Sequence, residues 1–336
     1  MKPIMASFYF KIIFFIFTFI FASGIINAYL LERCPSGLRC KPGTFVWGQL
    51  HRGFESPPLR ILQGILRFYP AKFEVVMINE VFDKIIKRFT EFPAVQAVAA
   101  GGSTSVNTSD ESSDIDIYVF TNGQIPLRER IELIKKYSSK YETGCEYFGP
   151  GDEFFVDKMN CQLDVMYFGT KQMEDNVENI WEKHYPSNGY TTCFLFTLKN
   201  CKTIYDKNNW LADLKNKLNT RYPAELKQNI IKRNLMLLKD KPFASYYEQI
   251  QKALKRNDIN SVNHRISAFM ASYFDIIFAL NELLHPGEKK LINYALKNCK
   301  ILPENFEYNI VKLLAESNTD KLKILDDMIA KLKKCL

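Results

Sequence analysis

The chain contains no Cys-x-x-Cys pair. Its eight cysteines, at 34, 40, 145, 161, 193, 201, 299 and 335, are spaced for neither a zinc site nor a disulfide framework. They read as reduced, partly buried thiols of a cytoplasmic protein. A dense basic block is missing too. The net charge of +8 is spread out, with lysines scattered through the C-terminal half. This argues against specific DNA binding and leaves room for an anionic substrate such as a nucleotide. There is no internal repeat, so a repeat architecture is excluded. What is present is apolar material. Of 336 residues, 47% are hydrophobic and 14% aromatic, enough for two domains with real cores.

The N-terminal region lacks charge where the rest of the chain has it. Residues 12–31 carry none and are long enough to span a bilayer. Lys2 and Lys11 precede them, so a signal peptide or signal anchor also fits. Arg33, Arg39 and Lys41 follow, which favours a cytoplasmic remainder. Residues 32–60 have neither helical nor strand periodicity and no linker composition. The tetrapeptide Gly53-Phe54-Glu55-Ser56 is what one reading frame of a transfer-RNA T-arm sequence encodes. The expectation is that residues 1–76 come from an over-extended gene model and that the natural start is Met77. The competing reading is a genuine membrane anchor followed by a flexible linker.

Regular patterning begins at Ile78. Val81, Phe82, Ile85, Ile86 and Phe89 form one apolar stripe among charges, as on a surface helix. Val95–Ala100 leads into Gly101-Gly102-Ser103, and 115–120 reads as a strand. Residues 126–140 read as a second helix, followed by a loop over 144–152. Glu153-Phe-Phe-Val156 reads as a short strand, and 161–168 alternates as another. The remainder reads as mostly helical. The expected class is α+β: a small mixed sheet flanked by helices over 77–183, then an all-α domain over 184–336.

The chemistry concentrates around residues 98–120. In a strand, Asp114 and Asp116 share one face. Two such carboxylates repel each other unless a cation lies between them, and a hard divalent ion suits an oxygen-only site. Gly102 and Ser103 form a turn whose backbone N–H groups can cradle a phosphate. Asp164 sits mid-strand between apolar residues, where an unpaired carboxylate is costly to bury. If the strand around Asp164 neighbours the strand around Asp116, the three carboxylates can hold two Mg²⁺ ions about 4 Å apart, the clamp for in-line displacement at phosphorus.

Gly102-Ser103, then Asp114-x-Asp116, then a later strand Asp164 resembles the signature of the DNA polymerase beta-like nucleotidyltransferase superfamily. Within it the chain resembles the bacterial branch that includes aminoglycoside and lincosamide nucleotidyltransferases. The stretch from Phe278 to Leu291 is similar to the helical segment of the DUF4037 group. The resemblance covers about residues 77–300. It implies metal ligation by Asp114, Asp116 and Asp164, and triphosphate binding by Gly102 and Ser103. It implies transfer of a nucleoside monophosphate, with AMP from ATP as the expected case, onto a hydroxyl of a small molecule or a protein. The alternatives are a nucleotidyltransferase-like regulatory partner of a toxin–antitoxin pair and a silent nucleotide-binding scaffold.

Plainer readings stand beside these. Glu153 and Asp157 could contribute to the site, although a surface place is the plainer reading. His285-Pro286-Gly287 reads as a helix stop, with Lys289 or Lys290 beyond it able to reach a triphosphate from the helical domain. Asn281 and Arg265 point to the same possible cleft. Tyr246, Tyr247, Phe269, Tyr273, Phe274 and Phe278 recur at helical spacing and read as core.

Overall fold

The computed structural model describes residues 71–101, 114–147, 149–240, 243, 245–315 and 320–336, with side chains described from Glu80 onward. Residues 12–31 and the Gly53–Ser56 stretch therefore lie outside the described residues, as do Gly102 and Ser103. The first helix, α1 (Ala71–Thr90), starts ahead of Met77. It buries Val81, Ile85, Ile86 and Phe89, the stripe expected from the spacing. The Thr90 hydroxyl donates to the Lys87 carbonyl at 2.8 Å and closes the last turn.

The chain then forms β1 (Val95–Ala100), β2 (Ile115–Thr121), α2 (Leu127–Ile134), β3 (Lys140–Cys145), β4 (Gly151–Val156) and β5 (Cys161–Gly169). The expected long helix over 126–140 stops at Ile134, and part of the expected loop is strand β3. The cause is local. The Ser138 hydroxyl donates to the Lys140 carbonyl at 2.7 Å and accepts the Lys140 N–H at 3.1 Å. The Ser139 N–H donates to the Asp157 carboxylate at 3.0 Å. Such side-chain bonds offer the backbone an alternative to the helix.

Helix α3 (Thr170–Val177) runs into a π-helical turn, Glu178–Glu182, and is followed by α4 (Cys193–Asn200). Strand β6 (Lys202–Asp206) then returns to the sheet. The strand order is β3-β4-β5-β2-β1-β6. Strands β2 and β5 are parallel, and every other neighbouring pair is antiparallel. The sheet is thus completed from beyond residue 183. Next come α5 (Trp210–Lys217), α6 (Ala224–Leu235), α7 (Tyr246–Lys255), α8 (Ile259–Leu280), α9 (Leu291–Asn298), α10 (Phe306–Ala315) and α11 (Lys321–Lys333).

Side-chain alternation gives the sheet two different faces. Val98, Ile117, Val119, Leu163 and Val165 pack against α1 and α2. Ala97, Ala99, Tyr118 and Phe120 face the other way, against Leu195, Leu211, Leu214 and Ile230 of the following helices. A third core joins α7, α8, α10 and α11 and holds Phe269, Tyr273, Phe274 and Phe278. Residues 272–280 of α8 are all buried. A helix buried on every side is a central pillar rather than a surface element.

A carboxylate sits inside that pillar. Asp275 is buried and accepts from the Thr191 N–H at 3.0 Å, the Thr191 hydroxyl at 2.6 Å and the Asn234 amide at 3.1 Å. The Asn234 oxygen in turn accepts the Gly189 N–H at 3.0 Å. Gly189 has φ +84°, and a Cβ there would fall 2.7 Å from that of Ala271, so only glycine fits. This network clasps the 187–192 segment to α6 and α8. No helix among the described residues is long and apolar enough to cross a membrane. The six described cysteines are all free.

Candidate active site

The register of β2 and β5 brings two predicted ligands together. Asp116 stands directly opposite Asp164, with Ile115 opposite Leu163 and Ile117 opposite Val165. Asp116, Tyr118 and Phe120 share a face, as do Asp164, Met166 and Phe168. This is the face covered by the later helices. Asp114 lies exposed just before β2.

The row extends further. Across β5, Asp164 stands opposite Glu153 of β4, and Glu153 stands opposite Glu142 of β3. Four acids thus follow one line across four strands. Like charges directly opposed across strands destabilise a sheet. Glu153 is exposed, as a surface acid is expected to be, and it stands in the row as well. The signal lay in the pairing register, which the strand's own pattern does not disclose.

The electrostatics follow from this row. The Asp116 carboxyl is raised above its usual range, first by burial. Lys289 opposes the shift, and Asp164 and Asp114 add to it. Asp164 is raised by burial, eased by the Gln162 amide, raised again by Asp114 and eased by Lys289. The Gln162 amide donates to its Oδ1 at 2.8 Å. Glu153 is raised by burial and then by Asp164, Glu142 and Asp114. Lys289, between α8 and α9, is the cation felt by both Asp116 and Asp164.

The donor chemistry fits a hard divalent cation: carboxylate oxygens with their charge largely uncompensated. Among the described residues, no three His, Cys, Asp or Glu side chains are gathered closely enough to hold a metal. The acids form a row, not a closed cage. Gly102 and Ser103 fall outside the described residues, but Gly101 just before them does not. The Gly101 N–H donates to the Asp116 carbonyl at 2.9 Å. A Cβ on Gly101 would lie 2.0 Å from Cζ of Tyr118. Glycine is required there because the phenol ring occupies the space a side chain would need.

Asn281 has a different job from the one its position suggested. Its amide donates to the carbonyls of Ile277 and Ile301, and its oxygen accepts the N–H groups of Lys300 and Ile301. It ties the end of α8 to the 299–302 segment and has no capacity left for a ligand.

Asp116 and Asp164 thus oppose each other on adjacent parallel strands of an α+β protein. Residues 82–144 match the family model of the nucleotidyltransferase domain, and residues 190–291 match the domain of unknown function DUF4037. The chain is thus similar to a nucleotidyltransferase domain followed by a DUF4037 region, which supports nucleoside monophosphate transfer in general. Asp114 and Asp116 lie inside the first match and Lys289 inside the second, while Asp164 lies between the two. No curated protein matches the chain. Among solved structures, a nucleotidyltransferase-like protein from Exiguobacterium sibiricum is similar, with 10% identity over 75% of this chain and 73% of that one, at a TM-score of 0.40. The STING-associated CdnE c-di-GMP synthase from Capnocytophaga granulosa is similar over 79% of this chain and 81% of that one, with 13% identity and a TM-score of 0.25.

Proposed function

We propose that the protein transfers a nucleoside monophosphate, AMP from ATP, onto a hydroxyl of a small molecule or a protein, releasing pyrophosphate. The observation that carries this reading is the direct opposition of Asp116 and Asp164 on parallel neighbours β2 and β5. The uncompensated charge of that pair suits an oxygen-ligated cation. Asp116 and Asp164, opposite each other, would offer carboxylate oxygens to Mg²⁺ ions, and Asp114, which stands just before β2, would have to be drawn in to complete the set. Bound there, the ions supply neutralisation of triphosphate charge and a more acidic acceptor hydroxyl. Lys289 pairs with the triphosphate as a point charge. Gly102 and Ser103 cradle the phosphates. Asp164 takes the proton of the acceptor hydroxyl. The hydroxyl oxygen then bonds to the α-phosphorus, the bond to the bridging oxygen breaks, and pyrophosphate leaves with that electron pair.

Labelled ATP with Mg²⁺ tests the reading against aminoglycosides, lincosamides and a cell lysate as acceptors. Label transfer that disappears in Asp116→Asn and Asp164→Asn supports it. If no acceptor is labelled and wild type behaves as the two variants do, the enzyme reading is rejected. Co-purification with a small helical protein in place of transfer would point to the regulatory alternative.

A further inference from the structure

We infer that His285 is a positioning residue that sets the turn carrying Lys289. The inference rests on the nucleotidyl-transfer reading and assigns that site a further member. His285 is fully buried. Its ring lies 4.6 Å from that of Tyr190 and 5.0 Å from that of Phe278, centroid to centroid. Its backbone N–H donates to the Thr192 hydroxyl at 2.8 Å. Its Nδ1 accepts the N–H of Gly287 at 3.1 Å. That last bond fixes the chemistry of the ring. An imidazole nitrogen accepts only when it carries no proton, so the proton of the neutral ring is on Nε2. Burial, which pushes the imidazole down to about 3, keeps the ring neutral at any ordinary pH. Nε2 itself has no partner among the described residues.

The turn that follows needs such a tether. Pro286 offers no N–H. Gly287 has φ +102° and Lys290 φ +52°, a conformation that local propensity does not supply for lysine. Lys289 sits between these two left-handed residues. Upstream, Thr192 adjoins Thr191, which is bound to buried Asp275 of α8. A line of contacts thus runs from the pillar helix through 191–192 and His285 to Gly287, and ends at the lysine that both acids feel.

A core histidine with no such role would lower stability when replaced, without touching Lys289. The two cases separate in the full-length chain. The probe is α,β-methylene-ATP with Mg²⁺, its Kd measured by calorimetry. Lys289→Met is expected to weaken binding about tenfold, the loss of one charge-assisted contact. His285→Phe fills the space but loses the acceptor, and a similar loss is expected. His285→Asn returns an oxygen acceptor near the Nδ1 position and should bind within about twofold of wild type. Gly287→Ala keeps the imidazole but strains the turn, and should resemble His285→Phe. The double variant His285→Phe/Lys289→Met should bind no more weakly than Lys289→Met alone.

A second readout does not need nucleotide. The rate of amine labelling at Lys289, followed by mass spectrometry, should rise in His285→Phe and Gly287→Ala but not in His285→Asn. If His285→Asn loses as much as His285→Phe, or the double variant falls below Lys289→Met, His285 does not act through Lys289. Equal labelling rates in all variants also overturn the inference. If wild type binds no nucleotide while the labelling differences persist, the positioning role stands and the nucleotidyl-transfer reading falls.

Discussion

Asp152 and Asp164 stand on neighbouring strands of one sheet and point to opposite faces. Asp152 is completely buried on the side of α1 and α2. It accepts Arg130 at both oxygens at 3.0 Å, the Tyr167 hydroxyl at 2.6 Å and the Gly144 N–H at 2.8 Å. The Arg130 guanidinium also lies 4.7 Å from the Tyr167 ring. Asp164 has one amide, from Gln162, and acids on either side in its row. The first carboxylate completes its own hydrogen bonding within the protein, as buried charges do. The second is left short of partners in a half-open position. Two aspartates of one sheet therefore differ in their partners: Asp152 has donors at both oxygens, and Asp164 is left with a single amide, which under the proposed function a cation would supplement.

Asymmetric substitutions can break this comparison. The largest expected effect is on transfer in Asp116→Asn or Asp164→Asn. Losing several kcal/mol of charge stabilisation at phosphorus corresponds to about a thousandfold in rate. Without divalent ions the same variants should melt no lower than wild type, because a repelling charge has gone. Asp152→Asn should behave inversely. Removing one partner of a buried ion pair costs about 3–5 kcal/mol, visible in urea unfolding, while the rate of the surviving folded enzyme should hold.

The buried carboxylate of Asp275 sharpens the contrast through pH. Burial raises its carboxyl to about 7, against the donors from Thr191 and Asn234. The folded state then keeps a proton that the unfolded chain releases near its ordinary value of about 3.9. The contribution of this group to stability is full below about pH 4 and is lost as pH rises through about 7. Denaturant titrations at pH 5 and pH 8 should show the difference, and Asp275→Asn should shrink it. The smallest effect is expected from Glu153→Gln. Removing one charge from the row, worth at most about 1 kcal/mol, should raise the half-saturating Mg²⁺ concentration no more than about fivefold. An unchanged Mg²⁺ requirement would leave Glu153 outside the site.

Much of the site was legible because its strands alternate. Asp164 is conspicuous between Leu163 and Val165, both fully buried, whereas Asp114 lies just before β2, where strand alternation no longer sets its face. Strand β3 was not legible. Its sequence, Lys-Tyr-Glu-Thr-Gly-Cys, lies at the sheet edge and is mostly exposed, so no buried face marks it. Glu153 and Glu142 were not legible as part of a row because register is a property of two strands, and each strand reveals only its own period. Asn281 looked like a cleft residue because a polar side chain after an apolar helix invites that reading. Three of its four backbone bonds involve a segment about 20 residues further on, which no local pattern announces. Helices α5 through α11 were legible from their apolar stripes, although their joints at Met236–Asp240 and beyond were not.

Strand β6 has a consequence for anyone dividing the chain. It comes from residues 202–206, yet pairs with β1 at the sheet's margin, and Leu195 and Leu198 just upstream of it cover the inner face. A recombinant fragment ending near residue 183 would carry every predicted carboxylate. It would also leave the β6-facing edge of β1 unpaired and a band of Ala97, Ala99, Tyr118 and Phe120 uncovered. An open, apolar strand edge is a template for another chain. Such a fragment is expected to elute as oligomers or precipitate, whereas one extended through α6 should stay in solution.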